Sequence, residues 1–372
     1  MDNALMTKIR DDDMGGPISK SRALVDGRAF LIGLGLPVQQ GAWTFSDFQT
    51  STTWRWKYLA DIARMADRGG FDYLFFGSQY FPPGGYNGLH RTHSLEAVEL
   101  AASIAAITDN IFLIPTMSAT GESSPVYFSR VMATLDHISN GRAGVNLMPN
   151  LAVGDIGETF RDKKDLNLRY KIADEFLEVV KRLWTEDTPL NYEGSFFQVY
   201  DGYISPKPLQ KPFPMLMSAD MTDESGKFLS DHCQMRFIAR SSHIGSDDAA
   251  LRDLMKVRAS ALQYIVCRET TSQAEAASRE ICDQFNPNTL AGHAKKFGHG
   301  SSSAQLEPSH ALGGNITLEP IIGAPKDIVE SLIALKEKGV GAIQITFADY
   351  AKELPFFIDQ VMPLIRDSDL QG

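Results

Sequence analysis

A single (β/α)8 barrel with insertions is the fold that this chain predicts, and three observations point to it. Short, β-rich apolar runs alternate with longer stretches of helical period. Roughly eight such β-then-α units can be counted, which favours a closed barrel over an open doubly wound sheet, while a length of 372 residues by itself allows two domains or one large barrel. Strands that alternate with helices imply a parallel sheet with right-handed crossovers.

The first strand is expected from Ala29 to Leu36 (AFLIGLGL), apolar throughout as a strand covered on both faces must be. A helix follows over Trp56 to Arg68, with Leu59, Ile62, Ala63 and Ala66 at helical spacing. Gly69-Gly70 reads as its C-cap, and Phe71 to Phe76 as the second strand. The same rhythm places helices at Leu95 to Thr108 and Pro125 to Ile138, and strands at Ile111 to Met117 and Ala143 to Met148. A long helix from about Arg169 to Thr185 leads to a strand at Pro214 to Ser218 and a helix near Ser225 to His232. Further strands are read near Met235 to Ala239 and Ala261 to Cys267, then a helix at Pro325 to Lys338, a strand at Ala342 to Phe347 and a closing helix from Lys352 to Asp367.

The domain reading is an N-terminal extension, residues 1–28, and one barrel, residues 29–367. Two insertions interrupt the barrel. Residues 191–211, with Tyr192, Phe196, Phe197, Tyr200 and Tyr203, read as a small hairpin. Residues 284–318 are rich in Ser, Gly and His and leave the C-terminal end of the seventh strand, where a barrel builds its site; they read as a lid, with a plain surface loop as the competing reading.

Composition excludes several function classes. The net charge of −10 comes from 36 Lys+Arg and 46 Asp+Glu, with no basic run longer than two residues, so nucleic acid is not an expected partner. Three cysteines, Cys233, Cys267 and Cys282, are too few and too irregular for a disulfide framework, which fits a reducing cytoplasm. No apolar run approaches the roughly 20 residues of a membrane span, and Asp11-Asp12-Asp13 stand where a signal peptide would be apolar. Gly33-Leu-Gly35 lacks the third glycine of a dinucleotide fingerprint, and no phosphate loop of the GK[ST] type or GxSxG elbow occurs. Of eight histidines only His90 and His93 lie close together, so no metal is expected.

What remains at the expected strand ends is neutral and polar: Ser78 and Gln79, Thr116 and Ser118, Asn146, and Ser218 with Asp220. Such a set suits a protein that positions an organic cofactor and leaves the chemistry to it.

One stretch is dense with motif: Ser124-Pro125, Arg130, Ala133-Thr134-Leu135-Asp136, Ile138-Ser139-Asn140-Gly141-Arg142 and Gly144-Val145-Asn146-Leu147. It resembles the bacterial luciferase-like family of flavin-dependent monooxygenases. Arg169-Tyr170, Glu175-Phe176, Leu183-Trp184, Pro206-Lys-Pro-Leu-Gln-Lys-Pro-Phe-Pro214 and Ile322-Gly-Ala-Pro325 extend the resemblance over most of Phe30 to Ile365. It is nearest the two-component branch that oxidises alkanesulfonates, dimethyl sulfone, nitrilotriacetate and pyrimidines, and His93-Ser-Leu-Glu96 is similar to the last of these.

The resemblance implies a TIM barrel that takes reduced FMN and O2, with FMN held by Ser78, Gln79, Met117, Asn146, Arg169, Tyr170, Met221 and Thr222. A helix N-terminus near Met221 and Thr222 would receive the phosphate, with Arg169 adding a charge-assisted bond. Two departures stand beside the flavin: Pro149-Asn150 replaces a threonine-glycine turn, and Asp220 brings a negative charge into the phosphate loop. Leu262 and Tyr264 occupy the seventh strand where sulfonate-oxidising relatives carry arginine and histidine, which disfavours an anionic substrate. Trp43, Phe45, Phe75, Phe76, Tyr80 and Phe81 favour a neutral, fairly apolar one.

The implied reaction forms a peroxyflavin that oxygenates the substrate, with Asn146 and His93 as the catalytic candidates, His93 delivering the proton. A separate NAD(P)H-dependent flavin reductase is the implied partner, and a homodimer or dimer of dimers the implied assembly. A deazaflavin-dependent dehydrogenase, a non-catalytic flavin-binding relative and a metal hydrolase are the alternatives.

Overall fold

The computed structural model describes residues 30–39, 41–78, 93–119, 124–149, 166–211, 213, 215–218, 223–238, 257–296, 307–314 and 317–371. The N-terminal extension, Gln79, Tyr80, Phe81, Asp220, Met221 and Thr222 lie outside them.

Strand β1 (Leu31–Gly35) leads through helix α1 (Trp56–Gly69) to β2 (Tyr73–Phe76), α2 (Ala97–Ala105), β3 (Phe112–Ser118), α3 (Pro125–Ile138), β4 (Val145–Met148) and α4 (Leu166–Thr185). An antiparallel pair, β5 (Leu190–Glu193) and β6 (Gln198–Gly202), precedes β7 (Met215–Ser218), α5 (Asp223–His232), β8 (Met235–Ile238) and β9 (Arg258–Cys267). Then come α6 (Thr271–Asp283), α7 (Pro287–Lys296), β10 (Ile321–Gly323), α8 (Pro325–Glu337), β11 (Val340–Thr346), α9 (Tyr350–Gln360) and α10 (Met362–Arg366).

Parallel pairing runs β1-β2-β3-β4-β7-β8, continues from β8 to β9 and β11, and returns to β1 through Leu31↔Ala342. The β8–β9 register, Met235↔Arg258 to Ile238↔Ala261, closes the ring at eight strands. The (β/α)8 expectation therefore holds, and β10 adds a short strand outside the ring on β9.

Local sequence chemistry explains the element ends. Gly70 ends α1 at φ +85°, a left-handed conformation natural to glycine, and its N–H returns to the Ala66 and Asp67 carbonyls. Ser124 caps α3 by accepting from the Tyr127 N–H, with Pro125 at the first turn where no donor is missed. Thr270 and Gln273 form a capping box at the start of α6.

Several elements differ from the expected ones. The helix expected over Lys352 to Asp367 is two, because Val361 leaves regular helix geometry ahead of Pro363. The seventh strand begins at Arg258, three residues before the expected Ala261. Helix α6 was not anticipated, and residues 284–296 and 307–314 of the second insertion carry helix α7 and a short 3-10 turn at Pro308–Ala311.

Side chains along each barrel strand divide between two environments. Ile32, Leu34, Leu74, Leu113, Val145, Leu147 and Ile343 pack outward with the helices. Leu31, Tyr73, Phe75, Phe112, Ile114, Met235 and Ala342 fill the interior. A Cβ on Gly33 would fall 2.3 Å from the Tyr73 ring, so only glycine lets that ring cross beneath β1. The Tyr73 hydroxyl donates to the Ile343 carbonyl at 2.8 Å and meets Ser260, to which Gln344 donates at 2.7 Å. This polar layer plugs the interior below the C-terminal mouth.

Candidate functional site

The strand ends bring neutral polar groups together at the mouth. Thr116 and Asn146 are lateral neighbours on β3 and β4, and Asn146 Nδ2 donates to Thr116 Oγ1 at 2.9 Å. Asn146 is 3% exposed, so this bond fixes its amide in one orientation. Ser78, just past β2, and Ser118, at the end of β3, are buried beside this arc. Met117 packs against the helix-side core, and Thr116 and Ser118 occupy the inward register on either side of it.

The far side of the mouth is built from strands β9, β11 and β1. Tyr264 is fully buried, and its hydroxyl shares a 2.8 Å hydrogen bond with Thr44 Oγ1. Leu262 is buried beneath it. Tyr350 donates to the Gly35 carbonyl and meets Thr346 at 2.8 Å, tying the end of β1 to the end of β11. Burial raises the pKa of both Tyr264 and Tyr350, so each stays a neutral phenol.

The loop after β1 is clamped by the second insertion. The Phe45 N–H donates to the Ala311 carbonyl, the Asp47 N–H to Gln284 and the Asn286 N–H to Phe45, each at 2.9 Å. Thr44 and Ser46 form bridges with Leu312 and Phe285, and the Leu318 N–H returns to the Leu262 carbonyl at 3.0 Å. The described parts of residues 284–318 are thus pinned over the mouth by backbone bonds, where the sequence suggested a lid or a plain loop.

Other expected residues lie on the periphery. Arg169 and Tyr170 fall in the opening turns of α4; Arg169 is half-buried, and Tyr170 is buried with its ring 5.7 Å from Phe228 of α5. His93 is exposed, and its ring stacks on Trp54 at 4.8 Å with an interplanar angle of 8°. Pro149 sits in a turn after β4.

Thiolates and metal-ligand clusters are absent among the described residues. Burial pushes the thiols of Cys233 and Cys267 up to about 12, and that of Cys282 up as well, so none is a thiolate at neutral pH. No group of three or more His, Cys, Asp or Glu residues is placed to hold a metal ion. No described helix is long and apolar enough to cross a membrane. Sequence reading did not single out Thr44; its signal is weak because one threonine in a loop carries no pattern, and only the fold sets it against Tyr264.

A family model described as luciferase-like monooxygenase matches residues 38–341. The FMNH(2)-dependent dimethylsulfone monooxygenase of Pseudomonas putida is 27% identical over 356 residues, covering 89% of this chain and 94% of that one. Pyrimidine monooxygenase RutA of Allorhizobium ampelinum is 25% identical over 358 residues, covering 90% and 96%. Among solved structures, riboflavin lyase RcaE with modified FMN and riboflavin superposes with a TM-score of 0.75 at 18% identity, covering 93% of each chain, a likeness of fold.

Proposed function

The chain belongs to the luciferase-like monooxygenase family, and on that premise we propose that it is a reduced-FMN-dependent monooxygenase acting on a small, neutral organic compound containing sulfur or nitrogen. The observation that carries this reading is the chemistry of the mouth. Ser78, Thr116, Ser118 and Asn146 offer hydroxyls and an amide on one arc, with protonated thiols elsewhere and no metal cluster among the described residues. Such a set of neutral groups suits the positioning of a reacting cofactor.

The donor set fits FMN. One N–H of Asn146 is spent on Thr116, and its second N–H and Oδ1 are assigned to the polar edge of the ring. Ser78 and Gln79 are assigned to the same ring, with Thr116 in place of Met117, which faces the helix-side core, and Arg169, Tyr170, Met221 and Thr222 to the phosphate end, where α5 begins at Asp223. When bound, reduced FMN supplies the electrons that activate O2 for transfer of one oxygen atom to the substrate.

The chain's own residues then orient, shield and deliver a proton. Asn146, held by Thr116, orients the ring, and the described parts of residues 284–318, pinned over the loop after β1, exclude water. His93, exposed at the rim against Trp54, is assigned proton delivery from solvent. Leu262 and Tyr264 leave the substrate arc without charge, which supports a neutral substrate.

Gly33 and Gly35 lie inside β1 and make no dinucleotide loop, so reduced FMN is supplied by a separate NAD(P)H-dependent flavin reductase. A cytoplasmic homodimer, or dimer of dimers, completes the proposal. The test couples the protein to an added flavin reductase and measures O2 uptake, peroxide and oxygenated product. Asn146→Ala should weaken reduced-FMN binding about tenfold, the loss of one buried hydrogen bond. His93→Ala should raise the share of O2 lost as peroxide; unchanged coupling removes His93 from the proposal.

A further inference from the structure

We propose that Trp43 sets the upper size of the substrate by walling the side of the mouth formed by β1 and β2. This deepens, and rests on, the monooxygenase reading above. The position of the indole is fixed by two glycines. A Cβ on Gly35 would stand 4.0 Å from Trp43 Nε1 and 3.3 Å from the Leu262 Cδ1, and one on Gly77 would stand 3.6 Å from Trp43 Cζ2. The ring therefore lies against the inward end of β1 and the exit of β2 at once, at 9% exposure, and faces Leu262 of the seventh strand.

The backbone aims it there. Gly41 and Ala42 both take positive φ, +78° and +44°, a tight reversal that brings residue 43 back toward the mouth, and Gln39 Nε2 donates to the Ala42 carbonyl at 2.9 Å to hold the turn. Beyond the indole, Thr44, Phe45, Ser46 and Asp47 are bonded to Tyr264 or to the second insertion. With both flanks fixed, the backbone that carries the indole is held at the mouth. The flavin assignments occupy the arc from β2 round to α5, so the substrate is left the arc of β9, β11 and β1, whose wall is Trp43, Leu262 and Tyr264.

The experiment measures binding of a homologous series, dimethyl to dibutyl sulfone, to the FMN-loaded protein by titration calorimetry, and oxygenation of the same series with reduced FMN. Wild type is expected to lose affinity about tenfold or more beyond a short alkyl length, a scale set by the rejection of oversized groups in rigid pockets. Trp43→Ala should move that cutoff to longer chains and bind dibutyl sulfone at least about tenfold more tightly than wild type. Trp43→Leu should fall between, and Trp43→Phe should keep the wild-type cutoff. Should Trp43→Ala not fold, the Leu and Phe variants still decide the order. An identical length profile in wild type and the smaller variants, including no binding by any of them, overturns the size wall. A shifted binding profile without oxygenated product from any protein overturns the monooxygenase reading and leaves the wall standing.

Discussion

Arg142 is 6% exposed and lies behind the mouth. Its Nη1 donates to the Ile111 carbonyl at 2.7 Å and to Thr108 Oγ1 at 3.2 Å, and its Nη2 to the Thr108 and Ala105 carbonyls at 2.8 and 3.1 Å. It thereby satisfies the end of α2, where carbonyls have no helical partner. Asp136 has a similar duty, accepting from the Gln210 N–H and side chain. The densest sequence motif of the chain is thus mostly structural, and Asn146 alone in it reaches the mouth. Arg142→Ala should cost about 2–4 kcal/mol in urea unfolding, because several buried carbonyls lose their donors together, and Arg142→Lys should recover only part of it. His232 gives a second prediction. Its Nδ1 accepts from Lys181 and its Nε2 donates to Asp174, both at 2.6 Å, an arrangement that needs the neutral ring. Burial lowers its pKa below 6.5, the Asp174 bond opposing and Lys181 assisting. The unfolded chain therefore binds a proton near pH 6.5 that the folded one refuses, so this stability is complete above pH 6.5 and lost as pH falls below it. The Tm advantage of wild type over His232→Gln should shrink between pH 7.5 and 5.5; a constant difference would remove the coupling.

Two loops are tied down by side-chain bonds. The turn between β5 and β6 is held by Glu175 of α4, whose Oε1 accepts from the Phe196 and Phe197 N–H groups at 2.8 and 2.7 Å and whose Oε2 accepts from Ser195 at 3.0 Å. Glu175→Ala should open this turn to limited proteolysis and cost about 1–2 kcal/mol, as charge-assisted bonds at a partly exposed site do. The Thr44–Tyr264 hydroxyl pair adds a buried side-chain tie to the loop after β1, beside its backbone bonds to the second insertion. Thr44→Val or Tyr264→Phe alone orphans a buried hydroxyl and should cost about 1–3 kcal/mol each, whereas the double variant should cost less than the sum. Additive losses in a denaturation cycle would contradict that pairing. The barrel strands and their helices were legible because their apolar runs are long and their caps, such as Ser124-Pro125 and Gly70, are plain. Helix α6 was not, because only Ala274, Ser278 and Ile281 along it are buried, a narrow stripe on an otherwise polar helix. The choice between Met117 and Thr116 was equally hidden. A strand covered on both faces carries no alternation, and a shift of one residue exchanges its faces.

At the scale of the whole molecule, ring closure through β8, β9, β11 and β1 turns residues 187 or more positions apart into neighbours: Thr44 meets Tyr264, Gly35 meets Leu262, and Tyr73 meets Ser260. One arc of the mouth carries neutral hydrogen-bonding groups and the other an uncharged apolar wall, and that division is the central claim about function. Its most direct test mixes the protein carrying reduced FMN with 18O2 and a panel of small neutral sulfur and nitrogen compounds, and follows the label by mass spectrometry. One labelled oxygen atom in the product of at least one neutral compound, the other leaving as water, is the predicted result. Complete recovery of the label as hydrogen peroxide with every compound, or substrate oxidation by hydride transfer with no O2 consumed, would contradict it.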